Sequence, residues 1–341
     1  MKYHFGLLAI ALPSAALAQP GPQPLFASDA PIRVTIQGPV SSVARNAAKT
    51  TAPQAATLTT AGESYPIRLS ARGLSRRTGG ICSFPPLRVE FAQPPAATSV
   101  FAGQKRLKLV THCKPSSGHQ QHLLLEYAAY PIFNLLTPLS FKARLAQVDY
   151  AEPSGKVTTS RLGIFLEEFD DVAKRNGLPE SRVGHRIEVT QLEPQQAARV
   201  ALFEYMIGNL DWSMRAGPVG ETCCHNAKLL SAAGGLHVPV PYDWDYSGMV
   251  DAPYAIPPEG IKVRNVRQRA YRGYCRHNAQ VLAAAADFRS KRGAIEGLFS
   301  QIPGLEERTR RKALAYLGSF FGEIATDDTV RANLLKDCIG G

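Results

Sequence analysis

The chain has 341 residues, 45% of them hydrophobic, and a formal net charge of +11. That length and apolar content support a sizeable core and exclude a disordered or fibrous protein. The positive balance suits anionic partners in general, but the densest basic runs, "RTRRK" and "RNVRQRAYRGYCR", carry no nucleic-acid motif, so nucleic acid is not an expected partner.

The first residues, "MKYHFGLLAIALPSAALA", have a basic start at Lys2, a short apolar run and a small-residue ending. They read as a signal peptide, residues 1–18, cleaved before Gln19. The run is too short to anchor in a bilayer, and no later stretch reaches the length of a transmembrane segment. The expectation is an exported protein, periplasmic or extracellular. Export favours disulfides for the six cysteines, with Cys82–Cys113 the preferred pair. The run Cys223-Cys224-His225 suggests zinc, but no second Cys/His pair stands at zinc spacing.

Residues 19–57 read as a flexible tail and a first strand, "IRVTIQ", with 41–57 as loop. Residues 58–168 read as mostly β: "YPIRLSARG", "PLRVEF" and "LKLVTH" are short runs bounded by Gly or Pro. The helix "HQQHLLLEYAAY" follows and is limited or kinked by Pro131. The strands "SFKARLAQVDYA" and "RLGIFLEEF" are joined by a turn at "EPSGK", and Glu167 and Glu168 read as solvated. Residues 169–341 read as mostly α. Asp170 or Asp171 caps a short helix ending at Gly177. The helix "PQQAARVALFEYMIGNL" stops near Gly208, the hairpin "NAKLL"/"HVPVPYD" encloses "SAAGG", and Ala- and Leu-rich helices complete the chain.

Asp211 leaves a helix, Asn226 begins one hairpin strand, and Asp243 and Asp245 leave the other. A hairpin brings its outer ends together, so these four side chains are expected to form one oxygen-rich cluster. Magnesium takes one or two carboxylates and fills its remaining positions with water and phosphate oxygens. The order helix, Asp, Asn, hairpin, Asp, Gly is also that of the catalytic segment of protein kinases. His225 reads as a loop hydrogen-bonder. No Gly-x-Ser-x-Gly elbow occurs, which argues against a serine hydrolase.

The stretches "SARGLSRRTGGICSFPPLRVEF", "LKLVTHC", "LEYAAYPIFNLL", "RLGIFLEEFDD", "YMIGNLDWS", "CCHNAKLL" and "VPVPYDWDYSG" resemble, in order from about residue 64 to 280, a family of exported bacterial proteins of unassigned role. That family is in turn distantly similar to the spore-coat protein kinases (CotH-like, an atypical kinase fold). The resemblance implies an α+β, two-lobed protein-kinase-like fold, with an antiparallel-sheet N-lobe and a mainly helical C-lobe. It implies ATP with Mg²⁺ or Mn²⁺ as cofactor and a protein or envelope-polymer acceptor. It puts Asp211 in the catalytic-loop position and Asn226, Asp243 and Asp245 at the metal. It puts Arg72, Arg88 or Lys108 at the phosphates, with Glu126 as their ion-pair partner. The chain departs from the kinase pattern in having no G-x-G-x-x-G loop and a longer separation between Asp211 and Asn226. The rival expectation is a catalytically inactive envelope or coat scaffold with the same fold.

Overall fold

Ile32, Val34 and Ile36 are buried and alternate with Arg33, Thr35 and Gln37, a period of two that makes β1 (Ile32–Gln37). This computed structural model describes residues 21–78 and 80–340, so the expected signal peptide lies outside the described residues. After β1 come α1 (Val40–Arg45), β2 (Gln54–Thr60), β3 (Glu63–Ala71), β4 (Leu87–Phe91), β5 (Arg106–Val110), α2 (Ser117–Leu136), β6 (Ala143–Ala151) and β7 (Val157–Leu166).

These seven strands close into a barrel in the order β1-β2-β3-β4-β5-β7-β6. All neighbours run antiparallel except β1 and β6, which pair in parallel from Ile32↔Ala146 to Gln37↔Ala151. The interior is packed with fully buried Leu58, Leu69, Leu87, Val89, Leu107 and Leu109. The expected two-lobed kinase-like fold with an antiparallel-sheet N-lobe and a helical C-lobe is therefore replaced by a closed mixed barrel with helices packed beside it. The parallel β1–β6 seam makes the difference, because it joins strands remote in sequence and turns the expected tail strand into a barrel stave. β2 begins inside the stretch 41–57 read as loop; "QAATLTT" offers only Leu58 as a large buried apolar side chain.

α2 runs on through Pro131 to Leu136. Ile132, Phe133 and Leu136 are buried beyond the proline. Burying three such side chains, at about 1.5–3 kcal/mol each, exceeds the roughly 3 kcal/mol an interior proline costs. The helix lies between β6 and β7 on one side and the later helices on the other.

The remaining elements are α3 (Phe169–Asn176), α4 (Pro194–Ile207), β8 (Ala227–Ser231), β9 (His237–Pro241), α5 (Asn278–Ser290), α6 (Arg292–Leu298), α7 (Glu307–Glu323) and α8 (Asp327–Asn333). Glu168 stands at the N-cap of α3, so Asp170 and Asp171 fall inside its first turn and favour the helix through its dipole. α4 starts at Pro194, and the Glu193 carboxylate accepts the backbone N–H groups of Gln195 (3.1 Å) and Gln196 (2.6 Å). β8 and β9 form the expected antiparallel hairpin, with Pro239 and Pro241 in a strand that pairs on one edge.

All six cysteines are paired, as Cys82–Cys113, Cys223–Cys224 and Cys275–Cys338. No described helix is long and apolar enough to cross a membrane.

Candidate functional site

α4 ends at Gly208, whose left-handed φ of 67° suits a residue without Cβ. Asn209, buried just beyond, donates from Nδ2 to Glu204 Oε2 (2.9 Å), and its Oδ1 accepts the backbone N–H of Asp211 (3.0 Å). Arg272 clamps the same loop by donating to the carbonyls of Leu210 (2.6 Å) and Trp212 (2.8 Å). Asp211 is thus held at a fixed point through its backbone, while its carboxylate meets the foot of the hairpin.

The foot of the hairpin comes to meet it. The Asn226 carbonyl accepts the Tyr242 N–H (3.0 Å). Its amide Nδ2 donates to the Asp211 carbonyl (2.6 Å) and to Asp211 Oδ2 (3.1 Å). His225 Nε2 lies 2.7 Å from Asp211 Oδ1. That hydrogen bond raises the imidazole pKa; burial opposes the shift, and the charges of Asp211 and Asp243 add to it.

In the segment after β9, Trp244 is buried among Tyr130, Phe133 and Phe203, and its Nε1 donates to Glu204 Oε1 (3.1 Å). Glu204 is itself pushed up to about 8 by burial, against the hydrogen bonds it accepts from Trp244 and Asn209. Asp243, at φ 66°, and Asp245 flank this anchor. The loops carrying Asp211 and Asp245 touch directly, since Gly248 N donates to the Gly208 carbonyl (2.9 Å). A Cβ on Gly208 would lie 1.9 Å from the Tyr316 hydroxyl of α7, and one on Gly248 would lie 2.5 Å from the same oxygen.

Arg76 sits among the acids. Its side chain is 7% exposed and contacts Glu126 Oε2 (3.4 Å), Asp243 Oδ1 (3.3 Å) and Asp245 Oδ2 (3.3 Å). Burial alone lowers the guanidinium pKa, but Asp245, Glu126, Tyr254 and Asp243 outweigh it and raise the pKa well above the ordinary value. Burial raises both Glu126 and Asp245, partly offset by Arg76. Three carboxyl groups thus share one guanidinium. Glu126 Oε1 is buried without a hydrogen-bond partner among the described residues, whereas Asp245 Oδ2 is held by its ion pair with Arg76.

Arg72, Arg88 and Lys108 form a basic group beside this cluster. Leu87 and Val89 point into the barrel, as do Leu107 and Leu109, so Arg88 and Lys108 face outward from paired positions of β4 and β5. Lys108 is pushed down to about 8 by burial, with Arg72, Arg88 and Lys228 acting in the same direction and Glu168 against it. Its ammonium lies 5.4 Å from the Tyr242 ring and 5.7 Å from that of Phe141. Burial lowers Arg72, with Asp243 opposing and Arg76 and Arg88 adding to the shift. Arg88 comes within 4.0 Å of Glu168.

The structure thus gathers Asp211 with Asn226, places Asp243 and Asp245 around Arg76, and sets Arg72, Arg88 and Lys108 near one another. Glu126 pairs with Arg76, not with any of the three basic residues expected to meet it. Glu167 and Glu168 are buried, not solvated; Glu167 pairs with Arg175 (3.0 Å) and Glu168 with Arg106 (3.1 Å). Sequence reading missed Arg76, because it neighbours Arg77 and nothing in the run "GLSRR" singles out the buried member. Among the described residues no three His, Cys, Asp or Glu side chains are grouped to hold one metal ion. A cation at this site would be held by the two carboxylates Asp243 and Asp245 with the Asn226 amide, leaving its other positions to water and phosphate. Both carboxylates already face Arg76 at 3.3 Å, so an ion there would share them with that guanidinium. No protein-family model matches the chain, and no curated protein matches it.

Proposed function

We propose that the chain is an exported phosphotransferase, dependent on a divalent metal and a nucleoside triphosphate, that phosphorylates a hydroxyl of a protein or an envelope polymer. The observation that carries this reading is the approach of the Asp211–Asn226 pair to the segment bearing Asp243 and Asp245, through the Tyr242–Asn226 and Gly248–Gly208 backbone hydrogen bonds, with three cationic side chains close by. Export is supported by the leader-like first residues and by three disulfides. The ordered motifs resemble an exported bacterial family that is itself distantly similar to the spore-coat kinases, and that resemblance supports the chemistry.

Asp211 orients the acceptor hydroxyl and takes its proton at the carboxylate, while Asn226 fixes the plane of that carboxylate. Asp243, Asp245 and Asn226 would hold magnesium or manganese, which when bound neutralises charge on the donor phosphates. Arg72, Arg88 and Lys108 bind the phosphate oxygens, and Lys108, at about 8, remains mostly protonated at neutral pH. A second reading, a catalytically silent envelope or coat component, is favoured by Arg76, which already pairs with both carboxylates.

A thermal-shift titration with ATP and Mn²⁺ separates the two. The phosphotransferase reading expects a stabilisation that Asp245→Asn abolishes, and autophosphorylation lost in Asp211→Asn but kept in the exposed-surface control Arg311→Ala. A folded wild-type chain that shows no shift at millimolar nucleotide and metal is the scaffold.

A further inference from the structure

The barrel has an open end where β1, β5 and β6 finish and β4 and β7 begin, and a cavity of about 810 Å³ lies there. Its wall draws on α1, on the segments before β4 and after β5, and on the β6–β7 hairpin. The aromatic part is Phe84 stacked on His112, with ring centroids 4.8 Å apart and planes at 26°, and Tyr150 tilted behind Phe84 at 4.7 Å. His112 is 3% exposed and its Nδ1 has no hydrogen-bond partner among the described residues. Burial, helped by Arg161, pushes its pKa down to about 4, so the ring beside the cavity is neutral.

The wall is braced. Cys82 and Cys113 are bonded, Phe84 N donates to the Cys113 carbonyl (2.9 Å), and Thr111 Oγ1 donates to the Phe84 carbonyl (2.9 Å). The charge at the rim is uneven. Arg45 and Arg161 both line the cavity, and Arg45 makes no ion pair among the described residues. Glu152, the opposing acid, is taken up by the Ser41 N–H (3.1 Å) and the Ser41 hydroxyl. A stacked aromatic wall, a neutral imidazole and two arginines define a site for a ring bearing an acidic group.

We propose that this barrel mouth binds a small aromatic carboxylate, with its ring against Phe84 and His112 and its anionic group between Arg45 and Arg161. It shares no residue with the acid cluster, and the proposal stands whether or not the chain transfers phosphate. Naphthalene-2-carboxylate and the uncharged naphthalene-2-methanol are suitable probes, titrated calorimetrically into the full chain. The carboxylate is expected to saturate the protein at sub-millimolar concentration. Binding should weaken about tenfold or more both for the alcohol and for the Arg45→Gln/Arg161→Gln double variant. His112→Phe, which keeps the stacking and removes Nδ1, should weaken carboxylate binding less than the double variant does. Folded wild type that shows no saturation up to about 5 mM carboxylate overturns the proposal, and so does an affinity left unchanged by the double variant.

Discussion

Replacing Arg76 by Met keeps the length of the side chain and removes the one guanidinium that faces Glu126, Asp243 and Asp245 at 3.3–3.4 Å. At an effective dielectric of about 20, the buried contact with Asp245 is worth about 5 kcal/mol before desolvation, which offsets most of it. Glu126, pushed up to about 8, is largely protonated near neutral pH and adds less. Asp243 is 36% exposed and adds under about 1 kcal/mol. The net loss expected at about pH 7.5 is therefore about 3–5 kcal/mol, the cost of leaving buried carboxylates without a counter-charge. Glu126 and Asp245 already have raised pKa values in the folded chain, and losing Arg76 raises them further. A folded carboxyl with a raised pKa holds its proton at a pH where the unfolded chain has lost it, so stability of the variant should recover as pH falls. The gap from wild type should narrow markedly by about pH 5. Urea unfolding followed by the fluorescence of buried Trp212 and Trp244 measures both gaps. An equal gap at the two pH values, or one under about 1 kcal/mol at the higher, refutes the account of Arg76 as the buried counter-charge.

Three further outcomes are expected. Trp244→Ala should cost about 3–5 kcal/mol in the same urea assay, because the indole fills the packing between α2 and α4 and satisfies Glu204. Removing the Cys82–Cys113 bond with paired serines, which opens a loop of sequence separation 31, should cost about 3–4 kcal/mol and lower the thermal midpoint. His225 has a pKa raised above its unfolded value by Asp211, so its contribution is present at acidic pH and fades as pH rises through the folded pKa. His225→Gln should accordingly destabilise the protein more at about pH 6 than at about pH 8.5, and equal effects at both would break the pairing with Asp211.

Period-two runs such as "IRVTIQ" and "LRVEF" announce their strands because one face is buried inside the barrel. The hairpin foot that carries Asn226 to Asp211 was equally legible, since antiparallel pairing is local. Closure of the barrel was not, because β1 meets β6 in parallel across the whole intervening sheet, and nothing local in either strand encodes a remote neighbour. β2 escaped for a related reason: its Ala and Thr side chains offer little hydrophobic contrast between the two faces. Buried charge was the least visible feature. Arg76, Glu126, Glu167 and Glu168 carry side-chain types that ordinarily face water, and only the three-dimensional supply of partners makes their burial tolerable.

Gly208 and Gly248 lie against each other under the hydroxyl of Tyr316, with room there for no further carbon atom. Helix α7 donates no acid of its own, yet it gauges the spacing between the stretch bearing Asp211 and the stretch bearing Asp245. A series of C-terminal truncations should therefore give a step rather than a gradual slope, with both acids losing their alignment together once the phenol ring of Tyr316 is gone.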